Sequence, residues 1–243
     1  MKPFLILQLR PETEAADDEF GAFLKFGELQ EDEVHRIRLD LEKLPQDLDL
    51  DSYSGVIVGG GPGCVSDSPD EKSEMDALIE RECLSLMPEI TARDIPFMGC
   101  CYGIGILGHS LGAEVSKKSW GEVAGTAQCE VVASDPLVDG LVENWQAFVG
   151  HKEALQELPE GAVHLVTSPS CRYQMIRYGQ NVYATQFHPE ADADGFENRI
   201  NIYKHKGYFP PEDAERLIAM CRAADVFVPE EILRRFVARY RSV

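Results

Sequence analysis

Two rhythms of apolar residues run along this chain. Up to Leu111, short unbroken apolar runs alternate with longer stretches whose apolar positions recur at helical spacing. Phe4–Leu9, Val34–Leu39, Tyr53–Val58 and Ile95–Gly99 read as strands. Ala15–Leu29, with Phe20, Phe23, Leu24 and Phe26 as its apolar positions, Asp70–Met87 and Ile104–Leu111 read as helices, and Leu41–Leu50 as a polar connection. Strand alternating with helix predicts a parallel sheet covered by helices on both faces. Past Leu111 the rhythm shortens. Val115–Trp120, Gly125–Val132, Trp145–Gly150, Val163–Ser168, Tyr173–Tyr178 and Val182–Phe187 are brief strand-like runs between turns, the mark of an antiparallel or mixed extension. Gly195–Tyr203, Pro211–Ala223 and Glu230–Arg241 close the chain as helices, with Pro211 and Pro229 near the starts of the last two. No repeat, low-complexity segment or linker interrupts the 243 residues, enough for one α/β unit with a full core.

In sheets of this kind, ligands bind at the carboxyl ends of the strands. Three such ends carry chemistry. Ile95–Met98 leads into Gly99-Cys100-Cys101-Tyr102-Gly103 and then directly into a helix. A strand-to-helix elbow exposes a nucleophile in a strained backbone, and the glycines on either side leave room for it. The thiol also stands at a helix N-terminus, where the dipole favours thiolate. The alternative for Cys101 is a small core hydrophobe, and Cys100, facing the other way, fits that reading better. A second strand runs into Gly59-Gly60-Gly61-Pro62-Gly63. Backbone N–H groups of such a loop can face inward and bind an oxyanion, although a tight turn alone would use the same residues. The loop is neither a P-loop nor a dinucleotide fingerprint, because no Gly-Lys-Ser/Thr follows and position 64 is Cys. A third strand delivers Gln186-Phe187-His188-Pro189-Glu190. A thiol nucleophile needs a base, and the base needs an orienting carboxylate, which His188 and Glu190 can supply. A surface histidine beside a solvated glutamate is the alternative.

Composition narrows the classes. With 23 Lys+Arg against 42 Asp+Glu the net charge is −19, and no basic stripe stands out, which argues against a nucleic-acid partner. Met1-Lys2-Pro3 runs straight into Phe4–Leu7, too short an apolar run for a signal peptide, and no run is long enough for a membrane span. Seven cysteines without paired spacing predict a reducing compartment, hence the cytoplasm, and no Cys/His spacing suggests a metal site.

The three motifs together resemble those of class I (triad) glutamine amidotransferases. Gly99-Cys100-Cys101-Tyr102-Gly103 is similar to the family's Gly-x-Cys-x-Gly elbow, Gln186–Glu190 to its second signature, and Val58–Gly63 to its oxyanion loop. They occur in the family's order over most of the chain, and the nearest likeness is to the amidotransferase part of GMP synthase. The resemblance implies a three-layer α/β fold of flavodoxin-like type, with a mostly parallel central sheet and a small antiparallel extension. It implies a single domain over residues 1–243, with helices over about 195–243 packing on it. Cys101 is then the nucleophile, His188 the base and acid, and Glu190 the orienter. The oxyanion hole would come from Tyr102 N–H and the Gly60-Gly61 loop. No cofactor and no metal is implied. The partners are glutamine or a γ-glutamyl compound and a synthase chain, with a homo-oligomer left open.

Two positions depart from the family. Many members carry Gln where this chain has Gly105, a loss of a side-chain donor that could admit γ-glutamyl peptides or amines. Phe148-Val149-Gly150-His151-Lys152 stands in the place of the family's Ser-His-x-Asp segment, so His151 is a candidate substrate contact, with Glu153 as the nearest acid. Four functions follow as expectations: an ammonia-supplying glutaminase, a free-standing γ-glutamyl hydrolase with the same triad, a non-catalytic binding module, or a thiol-dependent peptidase of the related chaperone-like family, for which His109 follows Cys101 by eight residues without an orienting acid. Retention of Cys, His and Glu together argues against the third.

Overall fold

The computed structural model describes residues 2–242. Its centre is a nine-stranded sheet. β1 (Phe4–Gln8) pairs in parallel with β2 (Val34–Arg38) on one side and β3 (Gly55–Val58) on the other, and β4 (Phe97–Cys100) lies parallel to β3. β1, β3 and β4 are buried at every residue, as unbroken apolar strands covered on both faces must be.

One face carries Phe4, Ile6, Ile57, Met98 and Cys100 against α1 (Thr13–Gly27) and α6 (Val228–Tyr240), through Phe23, Ile232, Leu233 and Phe236. Cys100 is thus a core residue. The alternate positions Leu5, Leu7, Val56, Val58 and Phe97 meet α2 (Glu74–Arg93) and α3 (Tyr102–Ser110) on the other face. α2 differs from the expectation at both ends. Ser73 caps it, its hydroxyl accepting from Asp76 N–H at 3.0 Å, and the helix then runs through Pro88 to Arg93. An internal proline costs about 3 kcal/mol. Met87 and Ile90 on either side of it are fully buried, at roughly 1.5–3 kcal/mol each, so packing outweighs the lost hydrogen bond.

The second half of the chain contributes more than an edge. β11 (Val182–Thr185) inserts beside β4 and runs parallel to it, with Thr185 opposite Cys100. β10 (Met175–Tyr178), β9 (Ala162–Thr167), β6 (Glu122–Val131) and β7 (Trp145–His151) then continue the sheet antiparallel. β5 (Val115–Ser116) and β8 (Ala154–Leu155) form a separate two-stranded ladder. α4 (Ala193–Tyr203) and α5 (Ala214–Ala223) pack over β6 and β7 through Phe196, Ile200 and Leu217 against Ala124 and Phe148. No helix among the described residues is long and apolar enough to cross a membrane.

Candidate active site

Cys101 is the one residue between β4 and α3. Its φ of 53° and ψ of −95° lie where a side chain is strained. Two features hold it there. Its N–H donates to Thr185 O at 2.8 Å, locking the elbow to the end of β11. Gly99 admits the returning helix: a Cβ there would stand 2.9 Å from the carbonyl carbon and oxygen of Gly103. The register that places Thr185 beside Cys100 brings His188, three residues on, to the same end of the sheet as Cys101, and His188 N–H is tied to Phe148 O at 3.0 Å.

Cys101 and His188 line one cavity of about 40 Å³. His188 Nδ1 donates to Glu190 Oε1 at 2.8 Å, which leaves Nε2 as the free ring nitrogen. Glu190 is wholly buried, and Arg199 from α4 donates to the same oxygen at 2.9 Å. Burial pushes the Glu190 carboxyl up, but the adjacent His188 and Arg199 outweigh it and hold the carboxyl well below its usual range. Burial also lowers the His188 imidazole, against the pull of Glu190. The thiol departs from expectation. Burial pushes Cys101 up to about 12, with Arg10 opposing, so in this closed site it is a thiol rather than a pre-formed thiolate.

The oxyanion loop needs one correction. Gly60 N–H donates to Glu19 Oε1 at 3.1 Å and is not free to bind an oxyanion. Glu19, buried in α1, also receives Arg10 Nε at 2.8 Å and so braces the loop from beneath. Among the described residues the Gly61 and Tyr102 N–H groups have no partner.

A second cavity, of about 20 Å³, also touches Cys101 and is lined by Gly61, Tyr102, Gly105, His151 and Glu153 among others. Gly105 and Glu153 explain each other: a Cβ at 105 would stand 3.0 Å from Glu153 Oε1. That carboxylate accepts from Val65 N–H at 2.8 Å and from Ser66 N–H and Oγ–H at 2.9 and 2.7 Å. His151 lines the cavity, but both ring nitrogens are spent, on Glu153 O at 2.8 Å and Glu122 Oε2 at 2.7 Å. It therefore shapes the wall rather than offering a ring nitrogen to a substrate. Glu122, His151 and Cys171 come within 4.8 Å of one another, but the Glu122–His151 separation is that of a hydrogen bond, and Gln174 donates to the same carboxylate at 2.8 Å. The cluster is a buried strut joining β6, β7 and the turn before β10.

Arg10, Glu19, Arg199 and Tyr208 are site residues that sequence reasoning missed. Arg10 follows β1 at the carboxyl edge, and that position was a usable signal. Tyr208 lines both cavities from the segment after α4, with its hydroxyl 3.5 Å from Gly61 O and Lys152 Nζ 4.6 Å from its ring centre. Cys101 and His188 are only 6% and 3% exposed beneath it.

Residues 25–201 match the pattern of the family described as glutamine amidotransferase class-I, most of the chain. This protein is a class I glutamine amidotransferase. The amidotransferase is 32% identical over 149 residues to the glutamine-hydrolysing GMP synthase of Thermosipho melanesiensis, an alignment covering 60% of this chain and 26% of that protein. It thus spans about a quarter of the length of such synthases. It is 28% identical over 170 residues to one subunit of the glutamine-hydrolysing GMP synthase of Natronomonas pharaonis, covering 68% of this chain and 82% of that relative. In fold it is similar to a glutamine amidotransferase from Thermotoga maritima, with a TM-score of 0.77 at 22% identity and full coverage of both chains. A glutamine amidotransferase from Methylobacillus flagellatus aligns with a TM-score of 0.71 at 21% identity, over 100% of this chain and 97% of that one.

Proposed function

We propose that this amidotransferase hydrolyses the γ-amide of glutamine through a γ-glutamyl thioester on Cys101 and supplies the ammonia to a synthase. The observation that carries the reading is His188, bonded to the buried Glu190 at 2.8 Å, in one cavity with a thiol at a positive-φ elbow. His188 Nε2 takes the thiol proton as Sγ attacks the γ-carbon. The N–H groups of Gly61 and Tyr102 receive the oxyanion, worth about 100- to 1,000-fold per donor. The imidazolium returns its proton to the amide nitrogen, the C–N bond breaks and ammonia leaves. Water, deprotonated by His188, then attacks the thioester, the C–S bond breaks and glutamate is released. Glu190 holds Nδ1–H throughout and stabilises the imidazolium. The Natronomonas relative, of which this chain covers 82%, is named as one subunit of its synthase, which supports an acceptor activity carried by another chain. Seven free thiols suit a reducing, cytoplasmic setting.

A second reading, hydrolysis of γ-glutamyl peptides or amines by the same groups, is favoured by Gly105, which offers no side-chain donor to the cavity it lines. The test is glutamate release by the purified chain, offered glutamine and, separately, a panel of γ-glutamyl conjugates. Turnover of glutamine with little on the panel supports the first reading. Turnover of a conjugate without glutamine replaces it with the second.

A further inference from the structure

We propose that Arg199 completes the catalytic constellation as a positioning residue, which keeps Glu190 ionised and holds His188 in the tautomer whose Nε2 can take the Cys101 proton. The proposal rests on the triad reading above. Its basis is a triangle of buried atoms. Arg199 Nη1 lies 2.9 Å from Glu190 Oε1 and 3.0 Å from His188 Nδ1, and His188 Nδ1 lies 2.8 Å from the same oxygen. An ionised Glu190 can only accept, so Nδ1 must carry the hydrogen of that bond, and Nη1 and Nδ1 then converge on Oε1 rather than bonding each other. Glu190 Oε2 has no partner, so Oε1 carries the whole anchoring of the carboxylate.

The arrangement is costly, which argues against an incidental salt bridge. Arg199 is 5% exposed, yet its Nε and Nη2 find no acceptor. A buried cation with unmet donors is unfavourable. Nor is Arg199 needed to seat α4, because Phe196, Ile200 and Tyr203 on that helix are already buried. The surrounding charges leave Glu190 as its ion partner. Arg10, after β1, is engaged by Glu19 of α1 at 2.8 Å. Asp192, at the start of α4, is taken by Gly195 N–H and Lys25. Asp18 on α1 also feels Arg199, whose charge opposes the rise that burial imposes on its carboxyl, but no hydrogen bond among the described residues joins the two. Cys101 faces the group as a thiol.

The effect on His188 has a definite sign. A guanidinium 3.0 Å from Nδ1 opposes a second positive charge on the ring, so Arg199 favours the neutral base. Removing it should let His188 hold its proton to higher pH. The readout is the rate of Cys101 alkylation by iodoacetamide as a function of pH in the full chain, with Cys101→Ser as the blank. In the unaltered chain the rate should fall on the acid side as His188 is protonated. In Arg199→Met that limb should move up by about one pH unit or more, and in Arg199→Lys, which keeps a charge, it should return towards its original place. An unmoved limb in Arg199→Met, whatever its melting temperature, would reduce Arg199 to a structural residue. If Arg199→Met does not fold, the Arg199→Lys profile and ¹⁵N spectra of His188 in the unaltered chain decide. A neutral ring protonated at Nδ1 is expected, and a ring protonated at Nε2 overturns the proposal. Alkylation needs no substrate, so a chain that shows the shift but leaves glutamine intact would sink the substrate assignment and not the role of Arg199.

Discussion

The backbone of Cys101 is held by regular structure: the end of β4, the first turn of α3, and Thr185 at the end of β11. Over it lies a segment of another kind. Residues 204–210 join α4 to the turn before α5 without helix or strand, and His205, Lys206 and Gly207 are exposed. Only Tyr208, partly buried, and Phe209, buried, point back into the protein. The elbow is held by the core; the strap is held by two aromatic rings. Cavities of about 40 and 20 Å³ beside the thiol have room for a water or so, not for an amino acid. Substrate entry therefore requires Tyr208 to move, and the strap is the cheapest element to displace because it has few buried contacts. The chemistry sits on the rigid part and access on the loose part.

The comparison can be broken most sharply at the elbow itself. Cys101→Ala and His188→Ala should each abolish glutamate release, a loss of at least about 10,000-fold, with melting temperatures close to that of the unaltered chain. Retained turnover in either would move the chemistry elsewhere. Gly99→Ala comes next. Its Cβ would collide with backbone at 2.9 Å, so the elbow must shift; we expect about 100-fold lower turnover and a stability loss of about 1–3 kcal/mol by thermal unfolding. An active, stable Gly99→Ala would mean that the elbow is less constrained than its φ suggests.

Two substitutions probe the strap. Tyr208→Ala should open the site and wet the thiol, so iodoacetamide should label Cys101 about tenfold faster at pH 8. The sign follows from burial: it pushes the thiol up to about 12, so the closed chain carries little thiolate at that pH, and hydration brings the thiol back towards its ordinary value. Unchanged labelling would show that Tyr208 does not gate the site. The smallest effect is expected from Lys152→Ala, which removes the ammonium 4.6 Å from the Tyr208 ring. About 0.5–1 kcal/mol of cation–π attraction corresponds to a two- to fivefold gain in labelling. If Lys152→Ala equals Tyr208→Ala, the lysine rather than the ring holds the strap.

Position 105 links the site to its acidic neighbour. Read from sequence alone, Gly105 is open space, whereas Glu153 reaches it and is itself bound by Val65 and Ser66. His151 belongs to the same class of surprise: a ring that looks available in the sequence is spent on Glu122 and on a backbone carbonyl.

The amino-acid sequence by itself determined the parallel block and its chemistry. Unbroken apolar runs between helical stretches specify β1, β3 and β4 because burial on both faces leaves no polar alternation. The spacing of Gly99, Cys101 and Gly103 at a strand end specifies the elbow, and the close spacing of His188 and Glu190 specifies a pair within reach of each other. What only the tertiary structure decided involves long separations in the chain. β11 joins the parallel block instead of the antiparallel extension, and this one register brings His188 into one cavity with Cys101. Glu19 takes Gly60 N–H from 41 residues away, Arg199 reaches Glu190 from within α4, and Tyr208 covers a thiol far earlier in the chain. Local patterns of burial and backbone preference are written residue by residue, whereas which strand pairs with which, and which buried donor meets which acceptor, depends on contacts that no local pattern encodes.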